Sequence, residues 1–267
     1  MSRTLISLLV LGCSYLGTLN TVAAQPYDIQ LTKSQTATLA SLIWKNEGAG
    51  KKQFLTVWNK NEAFPSMGIG HFIWYPTEDK GPYIEQFPTM IAFLSENGVQ
   101  IPSWLQNAKT APWKSREAFY QQFDQAELTE LRDLLAKTTS LQAEFITQRL
   151  EKGIPAILEA SNEEQQVIIK RNLDTLITTP EGIFVLLDYI NFKGEGVSAK
   201  EQYQGYGWGL KQVLLAMPEK TSNSLLSFAL AADEILTRRV KNAPKNELNW
   251  LKGWRVRIHK YPNLDIK

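Results

Sequence analysis

Two stretches decide how this chain is read: Leu39-Ala40-Ser41-Leu42-Ile43-Trp44-Lys45-Asn46-Glu47-Gly48-Ala49-Gly50 and Ser66-Met67-Gly68-Ile69-Gly70-His71. In the first, Leu39, Leu42 and Ile43 fall on one helical face, and Gly48 and Gly50 stop the helix. Counting by four from Leu39 gives Ile43 and then Glu47, so the acid continues the apolar stripe. Such an acid points at the core or a cleft and not at open solvent. It also sits in the last helical turn, near the negative end of the macrodipole. Burial and dipole both disfavour an ionised carboxylate, which is the condition a general acid for glycosidic cleavage needs. The opposing expectation is a frayed helix end with Glu47 in water.

Working outward, Phe54 to Tyr75 mixes aromatic and β-prone residues with Asn, Pro and Gly, which predicts short strands and turns. After Pro76 nearly everything reads helical. Phe87 to Glu96 is a short amphipathic helix ended by Asn97-Gly98. Asp124-x-x-Glu127, Thr139-x-x-Gln142 and Ser161-x-x-Glu164 are box-like helix openings, the last running to about Ile177. Thr179-Pro180 pairs an N-cap with proline at the first helical position. From Ile183 to Ile190 the chain is apolar nearly all round, which predicts a buried central helix. Gly194-Glu195-Gly196 ends it, and a Gly- and aromatic-rich stretch runs from Tyr203 to Gly209. Two further helices, about 223–240 and 248–259, close the chain. No internal repeat or low-complexity linker is visible. The expected class is α+β, mainly α: a helical domain with a small β-hairpin and a buried central helix.

Composition narrows the chemistry. Of 267 residues, 43% are hydrophobic and 21% charged, which are globular values. Lys plus Arg is 29 against 27 for Asp plus Glu, so charge supports neither a nucleic-acid nor an acidic-membrane partner. One cysteine excludes an internal disulfide, and His71 and His259 are too few for a zinc site without several carboxylates. The phosphate-binding and dinucleotide-binding glycine motifs do not occur, so no cofactor and no metal are expected. At the start, Arg3 precedes the apolar run Leu5 to Leu11, and Val22-Ala23-Ala24 offers small residues for a signal peptidase. The expectation is a signal peptide over 1–24 and a single domain over 25–267, exported to the periplasm or secreted from a bacterium. Val10-Leu11-Gly12-Cys13 resembles a lipobox, so anchoring through a lipidated Cys13 is the variant reading. No later run reaches the ~20 apolar residues of a membrane helix. Oligomeric state is not legible.

Glu47-Gly48 at a helix end, followed about 20 residues later by Ser66-x-Gly68-x-Gly70-His71, resembles the phage-type lysozymes, the T-even branch of the lysozyme-like superfamily. Their signature is a helix ending in Glu-Gly, a short β-hairpin, and Thr-x-Gly-x-Gly-His on its last strands. The resemblance covers roughly residues 39–75. It implies a lysozyme-like fold with Glu47 as catalytic acid. Gly48, Gly68, Gly70 and His71 become structural residues of the site, and Ser66 stands where a threonine helps hold the reacting water. The family's second carboxylate, an aspartate, falls at Lys60 in an ungapped alignment, beside Asn59, Asn61 and Glu62. The connection is also about four residues longer. Glu62 matches an acidic family position and is the candidate second carboxylate. The closing Trp250-x-x-Gly253-Trp254 with Arg255 and Arg257 is loosely similar to the end of such domains.

The implied activity is cleavage of the MurNAc–GlcNAc linkage of peptidoglycan, or of another aminosugar polymer such as chitin or chitosan. A lytic transglycosylase would use Glu47 without a second carboxylate. Lys60 at the aspartate position also admits a degenerate fold that only binds glycan or protein. Asn59 and Asn61 can orient water, and the aromatic supply suits sugar rings: Trp58, Trp74 and Tyr75 near the hairpin, Tyr203, Tyr206 and Trp208 in the later stretch. Asp188 reads as a hydrogen-bonded structural acid, and Glu195 as a reserve site residue in its Gly-flanked loop.

Overall fold

A capping box opens α1 (Lys33–Gly48): the Thr32 side chain accepts from Gln35 N, and the Gln35 side chain returns to the Thr32 backbone. Leu39, Ala40 and Ile43 are buried, and the helix ends where Ala49 and Gly50 turn left-handed, with φ of 51° and 67°. The computed structural model describes residues 27–81, 83–219 and 222–266. The expected leader over 1–24 and Cys13 lie outside the described residues.

Three two-residue strands follow: β1 (Thr56–Val57), β2 (Ser66–Met67) and β3 (Phe72–Ile73), antiparallel in the order β1-β2-β3. Thr56 faces Met67, and Met67 faces Phe72, so these three share the buried face. Val57, Ser66 and Ile73 share the other. Helices then occupy nearly all of the chain: α2 (Phe87–Glu96), α3 (Ser103–Gln106), α4 (Arg116–Gln121), α5 (Ala126–Lys137), α6 (Thr139–Glu159), α7 (Glu163–Leu176) and α8 (Pro180–Lys193). A hairpin of β4 (Gln202–Tyr203) and β5 (Tyr206–Gly207) interrupts them, before α9 (Leu210–Ala216), α10 (Ser224–Asn242) and α11 (Leu248–Ile258). Gln204 and Gly205 at the β4–β5 turn both have positive φ, 52° and 80°, the requirement of a tight two-residue hairpin. The chain is thus mainly helical with small antiparallel sheets, the expected class.

The helix α8 is buried from Gly182 to Ile190, as its all-round apolar character predicts. Its N-cap is Thr179, whose side-chain oxygen accepts from Gly182 N at 3.1 Å. One hydrophobic cluster runs from Ile29 to Ile266 and joins α1, the strands and α8. All three expected box-like helix openings are displaced: α5 begins after Gln125 without a side-chain cap, so Asp124 and Glu127 form no box. The helix α7 is capped by Asn162 and boxed by Gln165, one residue after the Ser161–Glu164 reading. The Thr139–Gln142 box does not form. Gln142 is instead fully buried, its Nε2 donating to Leu135 O at 2.7 Å and its Oε1 accepting from Ile69 N at 2.9 Å. That side chain ties the turn between β2 and β3 to the helical body. Among the described residues no helix is long and apolar enough to cross a membrane.

Candidate active site

The turn Gly68–His71 brings His71 over the end of α1. Gly68 has φ of 75°, and a methyl there would collide with the Gln142 amide oxygen, so glycine is required twice over. A side chain at Gly70 would meet the Phe72 ring at 2.7 Å and Asn191 Oδ1 at 3.0 Å. His71 itself has φ of 50°, an uncommon conformation for a residue with a Cβ. Its Nε2 lies 3.2 Å from Phe54 O; a carbonyl only accepts, so Nε2 carries the hydrogen there. The other ring nitrogen, Nδ1, lies 3.7 Å from Glu47 Oε2.

Glu47 is held from two further elements. Its Oε1 accepts from Arg257 Nη2 at 2.8 Å and from Asn191 Nδ2 at 3.3 Å. The side chain keeps 15% of its surface. The expected inward direction therefore comes with a cationic partner from α11, which local periodicity does not reveal. Gly48 is not open to an approaching ligand: a Cβ there would meet Trp44 at 3.2 Å and Phe54 at 3.3 Å.

Arg257 is in turn fixed by Asp188, whose Oδ2 accepts from Nε and whose Oδ1 accepts from Nη2, each at 2.7 Å. Tyr261 OH donates to Asp188 Oδ2 at 2.7 Å, and Asn46 Nδ2 donates to Oδ1 at 3.1 Å. Burial opposes the charge on Arg257, but Asp188 and Glu47 outweigh it and hold the guanidinium well above the usual arginine range. Burial, with Asp188 second, pushes the Tyr261 hydroxyl well up. Asp188 is thus a fully satisfied structural acid.

Glu62 lies on the loop between β1 and β2. Its backbone N–H donates to Asn59 O at 3.2 Å, its carbonyl accepts from Trp58 Nε1 at 2.8 Å, and its carboxylate accepts from Asn59 Nδ2 at 3.1 Å. Burial raises its pKa; the Asn59 bond and the nearby His71 act against that. His71 therefore stands within electrostatic reach of both carboxyl groups. Lys60 and Asn61, between Asn59 and Glu62 in that turn, are exposed. Ser66 is 5% exposed, on the strand face it shares with Ile73.

Beside this cluster is a cleft of about 310 Å³, lined by Gly70, His71, Ile73 and Asn191 on one side and by Tyr203 and Trp208 on another. A groove of about 370 Å³ continues from it, the two sharing Ile84, Gln86, Arg149 and Glu195. Of the aromatic residues expected at a binding surface, Tyr203 and Trp208 line this cleft. Tyr206 is 53% exposed and lies outside it. Trp58, Trp74 and Tyr75 are core residues, Trp58 packing edge-on against Phe119 and Trp74 against Trp113. Glu195 lines the cleft, paired with Arg149 at 3.3 Å.

Three site residues escape a local reading of the sequence: Asn191, Arg257 and Glu201. Asn191 follows Asp188 by three on an otherwise apolar helix, which puts both on one face. Arg257 lies on the α11 stripe that buries Leu251, Trp254 and Ile258. Glu201 lines the cleft with its Oε2 accepting from Gly196 N at 2.8 Å; burial raises its pKa, the Gly196 bond lowers it, and Glu195 raises it further. Among the described residues no group of three or more His, Cys, Asp or Glu is placed to hold a metal ion.

Comparison with known proteins gives no match: no family model, no curated protein and no solved structure. A functional reading therefore stands on the geometry of this site and on the motif that led to it.

Proposed function

We propose that the protein is an exported, lysozyme-like glycosidase that cleaves MurNAc–GlcNAc linkages of peptidoglycan, with Glu47 as the general acid. The observation that carries this reading is the unequal surroundings of the two Glu47 oxygens. Oε1 accepts from both Arg257 and Asn191, whereas the one partner of Oε2 among the described residues is His71 Nδ1, at 3.7 Å. Oε2 is then the oxygen free to carry a proton and deliver it to the glycosidic oxygen. Arg257 fixes its position, so the proton donor is oriented before substrate arrives. The cleft and the groove that continues it offer a path for a polymer, with the half-buried Tyr203 supplying a surface for a sugar ring.

Glu62 takes the second role. A carboxyl group whose pKa is raised is the stronger base once ionised, and here it would accept the proton of a water that attacks the anomeric carbon. The exposed Lys60 where the family places an aspartate favours a second reading, a lytic transglycosylase that uses Glu47 alone. The ends of the products decide. Purified peptidoglycan incubated with residues 25–267 should release fragments with reducing ends. Anhydro ends would move the assignment to the transglycosylase. A sacculus that is bound but yields no fragments would leave a glycan-binding fold without catalysis.

A further inference from the structure

A ladder of rings and cations runs beside the cleft, which Phe192, Lys193, Trp208 and Arg239 line. The Arg257 guanidinium carbon lies 4.3 Å from the Phe192 ring centre; Lys193 Nζ lies 3.9 Å from Phe192 and 3.5 Å from Trp254. Arg239 follows, 4.8 Å from Trp254 and 4.1 Å from Trp208. Two of the three cations have carboxylates of their own. Arg257 holds Asp188 and Glu47, and Arg239 holds Glu247 with its Nε at 2.9 Å. Lys193, between them, makes no ion pair or hydrogen bond with any described residue, although it lines the cleft.

Ring faces attract an ammonium but accept no conventional hydrogen bond, so they replace only part of the hydration that enclosure removes. Burial, then Arg239 and Arg257, holds the Lys193 amine well below the usual lysine range, while Glu247 and Glu47 act against this from a distance. A cation in that position lacks an anion. The other cations lining the cleft are placed differently: Arg149 is paired with Glu195 and Arg239 with Glu247, and Lys200 is exposed to water.

We propose that Lys193 is the specificity-determining residue of the cleft, receiving a carboxylate of the substrate close to the bond that Glu47 protonates. This rests on the reading of the cleft as a glycan site. An arriving carboxylate supplies the missing negative charge and favours the ammonium form of Lys193, any proton the amine then takes up coming from solvent. It follows that the cleft selects an acidic aminosugar polymer over a neutral one such as chitin. The carboxylate has two sources in peptidoglycan: the lactyl ether of the sugar, free where the peptide is removed, or the attached peptide.

Binding by calorimetry tests this in a Glu47→Gln background, where no turnover intrudes. Three probes are compared: a GlcNAc–MurNAc tetrasaccharide with free lactyl carboxylates, its methyl ester, and the same glycan carrying its peptides. The free acid should bind about tenfold more tightly than the ester. Lys193→Met should abolish that preference, and Lys193→Arg should keep it. If instead only the peptide-bearing fragment loses affinity in Lys193→Met, the recognised carboxylate belongs to the peptide. Equal binding of all three probes, unchanged by Lys193→Met, would overturn the proposal and leave the glycan site standing. Binding of none would overturn both.

Discussion

Glu47 and Glu62 are two carboxyl groups held in opposite ways. Glu47 ends a four-turn helix and is gripped by a guanidinium, which is itself gripped by Asp188, with Tyr261 and Asn46 completing the set. Its position is over-determined by α1, α8 and α11. Glu62 sits in a turn between strands, and among the described residues its carboxylate has one hydrogen-bond donor, Asn59, from the same turn. Precision resides in the core: Glu47 is placed by three helices packed on the core and Glu62 by a few residues of loop, so under the proposed function the proton donor is the more rigidly held of the two.

The largest effect should come from breaking the buried side. Asp188→Ala strands the Arg257 charge in the interior, so we expect a loss of about 3–5 kcal/mol in denaturant unfolding. A loss below about 1 kcal/mol would mean that the network is not what fixes Glu47.

Between the two regions lies the turn that carries His71. Gly68→Ala must hold a methyl at φ of 75° against the Gln142 amide. We expect about 1–3 kcal/mol, read as a lowered thermal midpoint. An unchanged midpoint would show that the turn can relax and that its glycine is not required.

The smallest stability effect belongs to Glu62→Gln, within about 0.5 kcal/mol. Its sign is defined. A carboxyl whose folded pKa is raised contributes stability that is full below its unfolded pKa and is lost as pH rises through the folded one. Removing the ionisation should therefore make the protein slightly more stable above that range, and never less. Activity should move oppositely. A base must be ionised, so cleavage should fall as pH drops through a value above the ordinary glutamate range, and Glu62→Gln should erase that limb. An acid limb that survives in Glu62→Gln would return the base to another group, with Glu201 the first to examine.

Much of the fold is legible from local pattern. Thr179-Pro180 and the apolar run to Ile190 mark α8, and the glycines after Glu47 mark the end of α1. What local pattern omits is pairing. Glu47, Asp188 and Arg257 each interrupt an apolar stripe on a different helix, separated by up to 210 residues. Each alone reads as an anomaly, and only packing shows that they answer one another. A charge on a buried stripe predicts a buried partner, so three such charges could have been matched before any coordinates. The aromatics failed for a different reason. Trp58 and Trp74 have the composition of a sugar-binding surface, but the same large apolar rings fill cores, and burial decides between the two. Gln142 shows the same ambiguity: the residue type that closes a capping box also anchors a distant turn.

The most direct measurement is the rate of reducing-end release from purified peptidoglycan by the wild-type protein and by Glu47→Gln, both checked for native circular dichroism. With Glu47 as general acid, the rate should fall about 10²–10⁴-fold with the fold retained, the usual worth of a positioned general acid. Equal rates from two folded proteins would contradict it, because the residue fixed by the whole buried network would then have no part in the chemistry.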